Sequence, residues 1–404
     1  MSPTAPRSIQ FALAFLIVVS VRCSTQADAP PGRWTSGDTT YVRPSAQGQW
    51  GSERTLVETL RIGKEDGAEE ELIGSVQCVA ADKSGGIYFF DNSVPALRYF
   101  DASGNFVRTL GREGAGPGEY KDACLGLAVR SDGKIIMREP RSLRINLYEP
   151  DGTPLPSWSL QSGLFTRLAT RVGKDDKVYA RTIIGEIERN KPWPIGMVVY
   201  SVDGVLSDTI MPPPPVVGAP ENLAGRFMPS DMWDVLSDGS IVMANSGIYA
   251  IEIRKRDGTI VRIDKPYDPV SLSGAERADY QRLQDWFVKY QGRFSTSDIP
   301  DLPANKAAFK QLFVDQDDRI WVERYQEGEA KEDPDPLPAD ESAPPPVNWV
   351  EPVVYDVFAA DGSFLNRVHA PRGSAIYKAR GDAAWGTQTD DGVQYVVSWA
   401  LSDS

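Results

Sequence analysis

Histidine is almost absent from this chain: among 404 residues only His369 occurs. That count excludes any metal centre built on two or more histidines and leaves one candidate base for a serine triad, with no G-x-S-x-G elbow to go with it. His369, in RVHAPRG, reads as an isolated loop histidine at the surface. Cysteine is nearly as scarce, and Cys23, Cys78 and Cys124 never fall into the C-x-x-C spacing of a metal or redox motif. Positive charge is in deficit, 43 Lys and Arg against 56 Asp and Glu for a formal charge of -13. A nucleic-acid partner, which needs clustered cations, is therefore not expected. Long apolar runs are lacking too: FALAFLIVVSV, Phe11 to Val21, is too short to span a bilayer.

What is present at the N-terminus is one positive charge, Arg7, then that apolar run, then small and polar residues through Ala27. Residues 1–27 read as a secretory signal peptide cleaved near Ala27. Lipid anchoring at Cys23 is the alternative, disfavoured because Arg22 stands where a small residue is expected. The mature chain is thus expected to be periplasmic or secreted, with an outer-membrane lipoprotein as the second option and no transmembrane segment after cleavage. Cys78 and Cys124 are expected to be two buried small hydrophobes; export permits a disulfide between them.

The body of the chain repeats. YFDASGNFVRTLG (Tyr99 to Gly111), LYEPDGTPL, VYSVDGVLSDTI, IRKRDGTIVRI and VFAADGSFLNRV each place a turn ending in glycine between two strand-like runs. Gly104, Gly152, Gly204 and Gly258 lie 48, 52 and 54 residues apart, and Gly362 follows after 104, close to two periods. A second hairpin precedes each, from CVAADKSGGIYFF (Cys78 to Phe90) to LFVDQDDRIWVE (Leu312 to Glu323). Two hairpins per period of about 50 residues make a four-stranded blade, so the expected fold is all-β, a six-bladed β-propeller over residues 28–404. The last repeat, Ser374 to Leu401, is short by one strand. Thr55 to Gly63 supplies it and closes the ring, removing free sheet edges. GREGAGPGEY, Gly111 to Tyr120, then lies between blades; it has neither the Lys-Ser/Thr ending of a P-loop nor a following helix.

GREGAGPGEY after a D-x-S-G-x-F hairpin, PANKAAFKQLFVDQDDRIWVER (Pro303 to Arg324) and AWGTQTDDGVQYVVSWAL (Ala384 to Leu401) resemble a large bacterial family of exported six-bladed β-propellers, NHL- and TolB-like in fold. The resemblance covers nearly all of the mature chain. It implies the fold and carries over no activity.

Two segments depart from the repeat. In the insertion at 271–306, between blades four and five, Ser273 and Glu276 form a capping box, and Leu283, Trp286, Phe287 and Tyr290 recur at helical spacing. This predicts an amphipathic helix packed by that face on the propeller, as a brace or a lid. Residues 326–346 carry seven acidic side chains, one lysine and six prolines, the composition of a solvated loop. DQDD, Asp315 to Asp318, fails the calcium-loop pattern, with Arg319 fifth and Gln326 twelfth.

Counting five residues from the turn of each inner hairpin gives Asp91, Arg138, Arg181, Ala244, Glu323 and Gln388, with Asn92, Glu139, Asn245 and Arg324 beside them. Polar groups recurring at the end of a strand predict a channel mouth that binds a ligand; a rim that merely meets water is the alternative. No catalytic constellation accompanies them. The expected function is an extracytoplasmic binding propeller for a protein, peptide or glycan, without a cofactor. The alternative is a divalent-metal hydrolase or lyase of the gluconolactonase type, with Ca2+ held by Asp91, Asn245 and Glu323 on three blades.

Overall fold

The structure, a computed structural model, describes residues 31–403 apart from 122–123, 125, 140, 161–169, 174, 188–193, 224 and 292–299. The expected signal peptide and Cys23 lie outside the described residues.

Strands form where the sequence runs apolar for five or six residues between glycine turns. The second strands IYFFD, IIMRE and IVMAN are buried along almost their whole length, because stacked sheets cover both of their faces. Fourth strands such as FVRTL alternate between cover and solvent. The first sheet runs Val76–Ala81, Ile87–Asp91, Ala96–Phe100, Phe106–Leu110; the second Leu127–Val129, Ile135–Glu139, Arg144–Tyr148, Pro154–Ser159. The third is Thr170–Val172, Val178–Ile183, Ile195–Tyr200, Leu206–Ile210, and the fourth Asp231–Val235, Ile241–Asn245, Ala250–Arg254, Ile260–Asp264. Phe309–Val314, Ile320–Arg324, Val353–Phe358 and Phe364–Ala370 make the fifth. In the last, Ser374–Arg380, Ala383–Asp390 and Val393–Asp403 are completed by Arg54–Ile62, which pairs antiparallel from Arg54↔Asp403 to Ile62↔Val396. The early segment therefore takes the outer position that the repeat leaves open, and it also touches the fifth sheet in parallel at Val368↔Arg54.

Six apolar clusters are each shared by two consecutive sheets, and a seventh, around Phe227, Leu272 and Leu302, packs beneath the inserted helix. Phe90 and Met137 meet between the first and second, Ile136 and Ala180 between the second and third, and Tyr179 and Trp233 between the third and fourth. Ile251 and Val322 join the fourth to the fifth, Trp321 and Trp399 the fifth to the last, and Trp385 and Phe89 bring the last back to the first. The arrangement is a propeller-type, all-β fold in which the core is a circle of interfaces. Both hairpin turns of every sheet lie at one end, here the turn end; the loops joining second to third strands and one sheet to the next lie at the connection end.

The glycine turns follow an Asx pattern. Asp101 Oδ1 accepts from the backbone N–H groups of Ser103 and Asn105, each at 2.9 Å, and Gly104 takes φ +80°. At two turns an aspartate occupies the left-handed position instead: Asp176 at φ 58° and Asp318 at φ 63°. Each carboxylate reaches a serine turn of the preceding sheet, accepting the N–H of Ser131 at 2.7 Å and of Ser237 at 2.8 Å, together with both hydroxyls. The link between sheets offsets the backbone strain.

GREGAGPGEY is a packed connection. Glu119 Oε2 accepts from Gly116 N at 2.7 Å, Tyr148 donates to Gly118 O at 3.2 Å, and the buried Tyr120 hydroxyl accepts from Leu97 N at 3.1 Å. The loop supplies its own anion where a phosphate would have to sit. Cys78 and Cys124 are joined as a disulfide, correcting the expectation of two separate buried hydrophobes. The bond ties the innermost strand of the first sheet to the connection leading into the second. An unforeseen hairpin, Gly32–Ser36 with Thr39–Arg43, extends the fourth sheet by parallel pairing of Thr39–Arg43 with Ile260–Asp264.

Helix α1 spans Gly274–Gln291, and residues 292–299 of the insertion lie outside the described residues. Ser273 Oγ accepts from Glu276 N at 3.1 Å, but the Glu276 side chain turns inward to Lys306 rather than back to the cap. The buried face is also not the aromatic one expected. Glu276 and Asp279 are covered and Tyr280 packs edge-on against Phe227, whereas Phe287 and Tyr290 are exposed. The physical reason is polar: Lys306 Nζ, wholly buried, holds Glu276 at 2.7 Å and Glu351 at 2.8 Å, and Arg277 donates to the carbonyls of Leu302 and Pro303. The acidic loop is tied to the same helix, since Trp286 donates to Ser342 O and Asn348 N to Asp279.

Candidate functional site

The innermost strands converge on the axis, where a side chain has little room and no water-facing side. Small and apolar residues dominate there, among them Val79, Ala128 and Val314, but Arg171, Asp234 and Lys378 break the pattern. Together these strands enclose a cavity of about 50 Å³. Lys378 crosses it: the ammonium, carried by the last sheet, donates to Thr170 O of the third sheet at 3.1 Å. An ammonium has three donors, and this is one. Arg171 lies over the Tyr179 ring at 5.4 Å, with Nη1 3.9 Å from Asp318; its buried Nε and Nη2 have no hydrogen-bond partner among the described residues. The Thr170 hydroxyl, also buried, has none either.

Asp234, a carboxylate on the cavity wall, has the charge opposite to these cations. It is already engaged, accepting Val235 N at 2.8 Å and Val314 N at 2.9 Å, and so stitches the fourth sheet to the fifth. Asp315, at the cavity wall, is held by Arg319 and Trp321. Burial pushes the Lys378 ammonium down to about 8, the charge of Arg171 adds to the shift, and Asp234 opposes it. A mouth of about 200 Å³ at the turn end is lined by Lys83, Arg130 and Arg380 and shares Val172 and Gln316 with the cavity.

The residues singled out from the sequence sit at the opposite, connection end, and most are bonded within their own sheet. Asp91, fully buried, accepts from the N–H groups of Gly74, Ser75 and Ser93 at 2.9–3.0 Å, with Arg98 3.6 Å away. Asn92 donates to Ser75 O and accepts from Cys124 N. Glu139 gathers Lys121 N, the Ser142 hydroxyl and Arg144. Asn245 bridges Asp231, Pro220 O and Gly247 N. Glu323 takes Gln311 at 2.6 Å and Lys310 at 3.3 Å, Arg324 faces Asp356 at 3.6 Å, and Gln388 donates to Asp390. Arg138 is fully buried, and burial pushes its guanidinium down to about 10; Arg181 lies over the Trp233 ring at 4.6 Å and is likewise lowered by burial.

The recurrence read from the sequence thus has a structural use: a polar side chain ending the second strand fastens the loops that enter and leave it. The structure does not bring Asp91, Asn245 and Glu323 together, and among the described residues no three His, Cys, Asp or Glu side chains gather to hold a metal. His369, in the strand Phe364–Ala370, pairs with Glu53 at 2.5 Å between the ring nitrogen and the carboxylate. Arg171, Asp234 and Lys378 escaped the count because they lie on first strands. Their signal was a charge in the middle of a run such as SAIYKAR, where packing calls for an apolar residue.

No family model matches the chain, and no curated protein is significantly similar to it in sequence. Solved structures do align with it along most of its length. A member of the DUF4221 family from Bacteroides vulgatus is 12% identical with a TM-score of 0.51, covering 87% of this chain and 99% of its own. A candidate exported protein from Bacteroides fragilis is 11% identical, TM-score 0.47, over 91% of this chain and 99% of its own. The PQQ-bound aldose sugar dehydrogenase of Streptomyces coelicolor is 13% identical, TM-score 0.44, over 89% and 100%. The likeness is one of fold: this chain is a propeller-type protein.

Proposed function

We propose that the chain is a six-bladed β-propeller that acts outside the cytoplasm as a binding protein, taking a protein, peptide or glycan ligand at one end of its axis. Six four-stranded units related by the pairings above, with Arg54–Ile62 completing the last and α1 inserted between the fourth and fifth, support the architecture. The N-terminal signal pattern supports export, and no helix among the described residues is long and apolar enough to cross a membrane.

The observation that carries the binding reading is the axial cavity, where Nε and Nη2 of Arg171 and the Thr170 hydroxyl have no hydrogen-bond partner among the described residues and the Lys378 ammonium spends one of its three donors on Thr170 O. Buried donors left unmatched cost free energy, and a ligand that accepts from them recovers it. The metal-dependent alternative would require Asp91, Asn245 and Glu323 to leave their present partners and move toward one another. Peptide and glycan arrays probed with the mature chain, and with Lys378→Met beside it, test the reading. Retention of a ligand class by the parent and its loss in the variant is the expected result; release of a cleaved product without retention overturns it in favour of an enzyme.

A further inference from the structure

Two cations facing one closed space repel each other, and both also lose solvation there. Lys378 and Arg171 both border the axial cavity: Arg171 has Asp318 at 3.9 Å on its Nη1 side, Lys378 has no carboxylate at ion-pair distance among the described residues, and Asp234 is engaged with backbone N–H groups. The donors left over point to one chemistry. They are two N–H of the Lys378 ammonium, Nε and Nη2 of Arg171, and the Thr170 hydroxyl, all bordering the same cavity.

We propose that the axial cavity is a binding site for a small oxyanion, either a free ion or the terminal group of a larger ligand, held by Lys378, Arg171 and the Thr170 hydroxyl. This deepens the binding reading given above and rests on it for the larger ligand only. A guanidinium edge presents two parallel donors to two oxygens of a carboxylate or phosphate, and the ammonium adds a point charge from the opposite wall. About 50 Å³ suits a group of that size and no more. The mouth at the turn end, lined by Lys83, Arg130 and Arg380 against Asp82 and Asp176, carries one more positive than negative side chain.

The alternative occupant is water, which satisfies the donors but adds no charge opposite the Lys378 ammonium. Ammonium and anion also depend on pH together. The groups bordering Lys378 from the other sheets are Arg171 and Tyr179 of the third, Asp234 of the fourth and Asp315 of the fifth, with Tyr377 beside it on its own strand. Burial and Arg171 lower the Lys378 ammonium to about 8, so anion affinity falls as pH rises past that value.

Titration calorimetry of the mature chain with inorganic phosphate and, separately, with sodium acetate, at pH 6.5 and at pH 9.5, tests the site. Saturable binding of at least one probe at pH 6.5 is expected, weakened tenfold or more at pH 9.5 and in Lys378→Met, and retained within a few-fold in Lys378→Arg. Phosphate binding that acetate does not displace assigns the site to a free inorganic ion; acetate binding, or mutual displacement, assigns it to a carboxylate-bearing ligand as well. Absence of binding by both probes at 10 mM, or unchanged affinity in a folded Lys378→Met, overturns the proposal. If anions fail while the arrays retain a ligand, the binding reading stands and only this chemistry falls; if anions bind while the arrays retain nothing, the reverse holds.

Discussion

Replacing Lys306 by Met should release helix α1 from the propeller without melting the sheets. Lys306 Nζ is wholly covered and uses all three donors, on Glu276 at 2.7 Å, Glu351 at 2.8 Å and the carbonyl of Gln326 at 3.0 Å. Met fills nearly the same volume, so the loss is electrostatic. Glu351 keeps Lys310 at 3.0 Å and Gln326 N, but Glu276, about as buried as Lys306, is left with no cation. Breaking a buried pair in this way costs about 3–5 kcal/mol, against roughly 0–1 kcal/mol for the exposed Lys289–Glu341 pair at the far end of the same helix. What remains to hold α1 includes Tyr280 on Phe227, Arg277 on two carbonyls, and the bonds of Asp279 and Trp286 to Asn348 N and Ser342 O. Hydrogen exchange read by mass spectrometry should show residues 274–291 exchanging about a hundredfold to a thousandfold faster, at tenfold per 1.4 kcal/mol, while Ile87–Asp91 and Ile241–Asn245 keep their protection. Adding Glu276→Gln should recover more than half of the loss, because a neutral amide tolerates burial far better than an unpaired carboxylate. Unchanged exchange of α1 in Lys306→Met, or an equal rise in the sheets, would refute this account of how the helix is held.

Other outcomes follow from the same contacts. Cys78→Ser with Cys124→Ser should lower stability to denaturant by about 4 kcal/mol on the chain-entropy account, since the bond closes a loop across a separation of 46 residues; a loss under 1 kcal/mol contradicts that account. Lys378→Met should alter the dependence of stability on pH. With the native ammonium lowered to about 8 against about 10.4 unfolded, the unfolded chain binds the extra proton between those values, so the parent gains stability as pH rises from 8 to 10, by up to about 3 kcal/mol. The variant should lack that rise in a melting series from pH 7 to 10. Deleting residues 28–63 should expose Val393–Asp403 as an unpaired edge and give aggregates on size exclusion; a soluble monomer would count against closure by Arg54–Ile62. Intact-mass analysis of the exported protein should place the N-terminus near residue 28, and a mass retaining Met1 would contradict export.

The strands were legible because the repeat states each of them several times. A period near 50 residues, a glycine at each turn and apolar runs on either side are local features, and the segments IYFFD, IIMRE and IVMAN lie where that pattern puts them. Even the long-range pairing of Arg54–Ile62 could be read, because a missing strand at one end and a surplus one at the other leave one economical solution. The helix was legible in position and not in orientation. Spacing alone marks Leu283, Trp286, Phe287 and Tyr290 as a stripe, yet the face turned inward is chosen by Lys306, sixteen residues beyond Tyr290, whose buried charge needs Glu276. A partner outside the helix decides which side is inside.

The positions counted from the inner turns have a structural use for a related reason. Polar residues recur at the end of the second strand in the first, second and fourth sheets because each has a loop there whose N–H groups need an acceptor. Asp91 and Glu139 answer that need with carboxylates and Asn245 with an amide. Recurrence in a repeat protein therefore marks what several units need in order to fold. A ligand on the axis breaks that equivalence, since each unit meets it from a different direction and contributes something different. The charges at the axis differ from sheet to sheet, arginine on the third, aspartate on the fourth and lysine on the last, with Val79, Ala128 and Val314 elsewhere. Departure from the repeat, in the strand where packing alone would favour an apolar residue, is the feature that sets Lys378 and Arg171 apart from Asp91 and Glu139, and the binding proposal above rests on it.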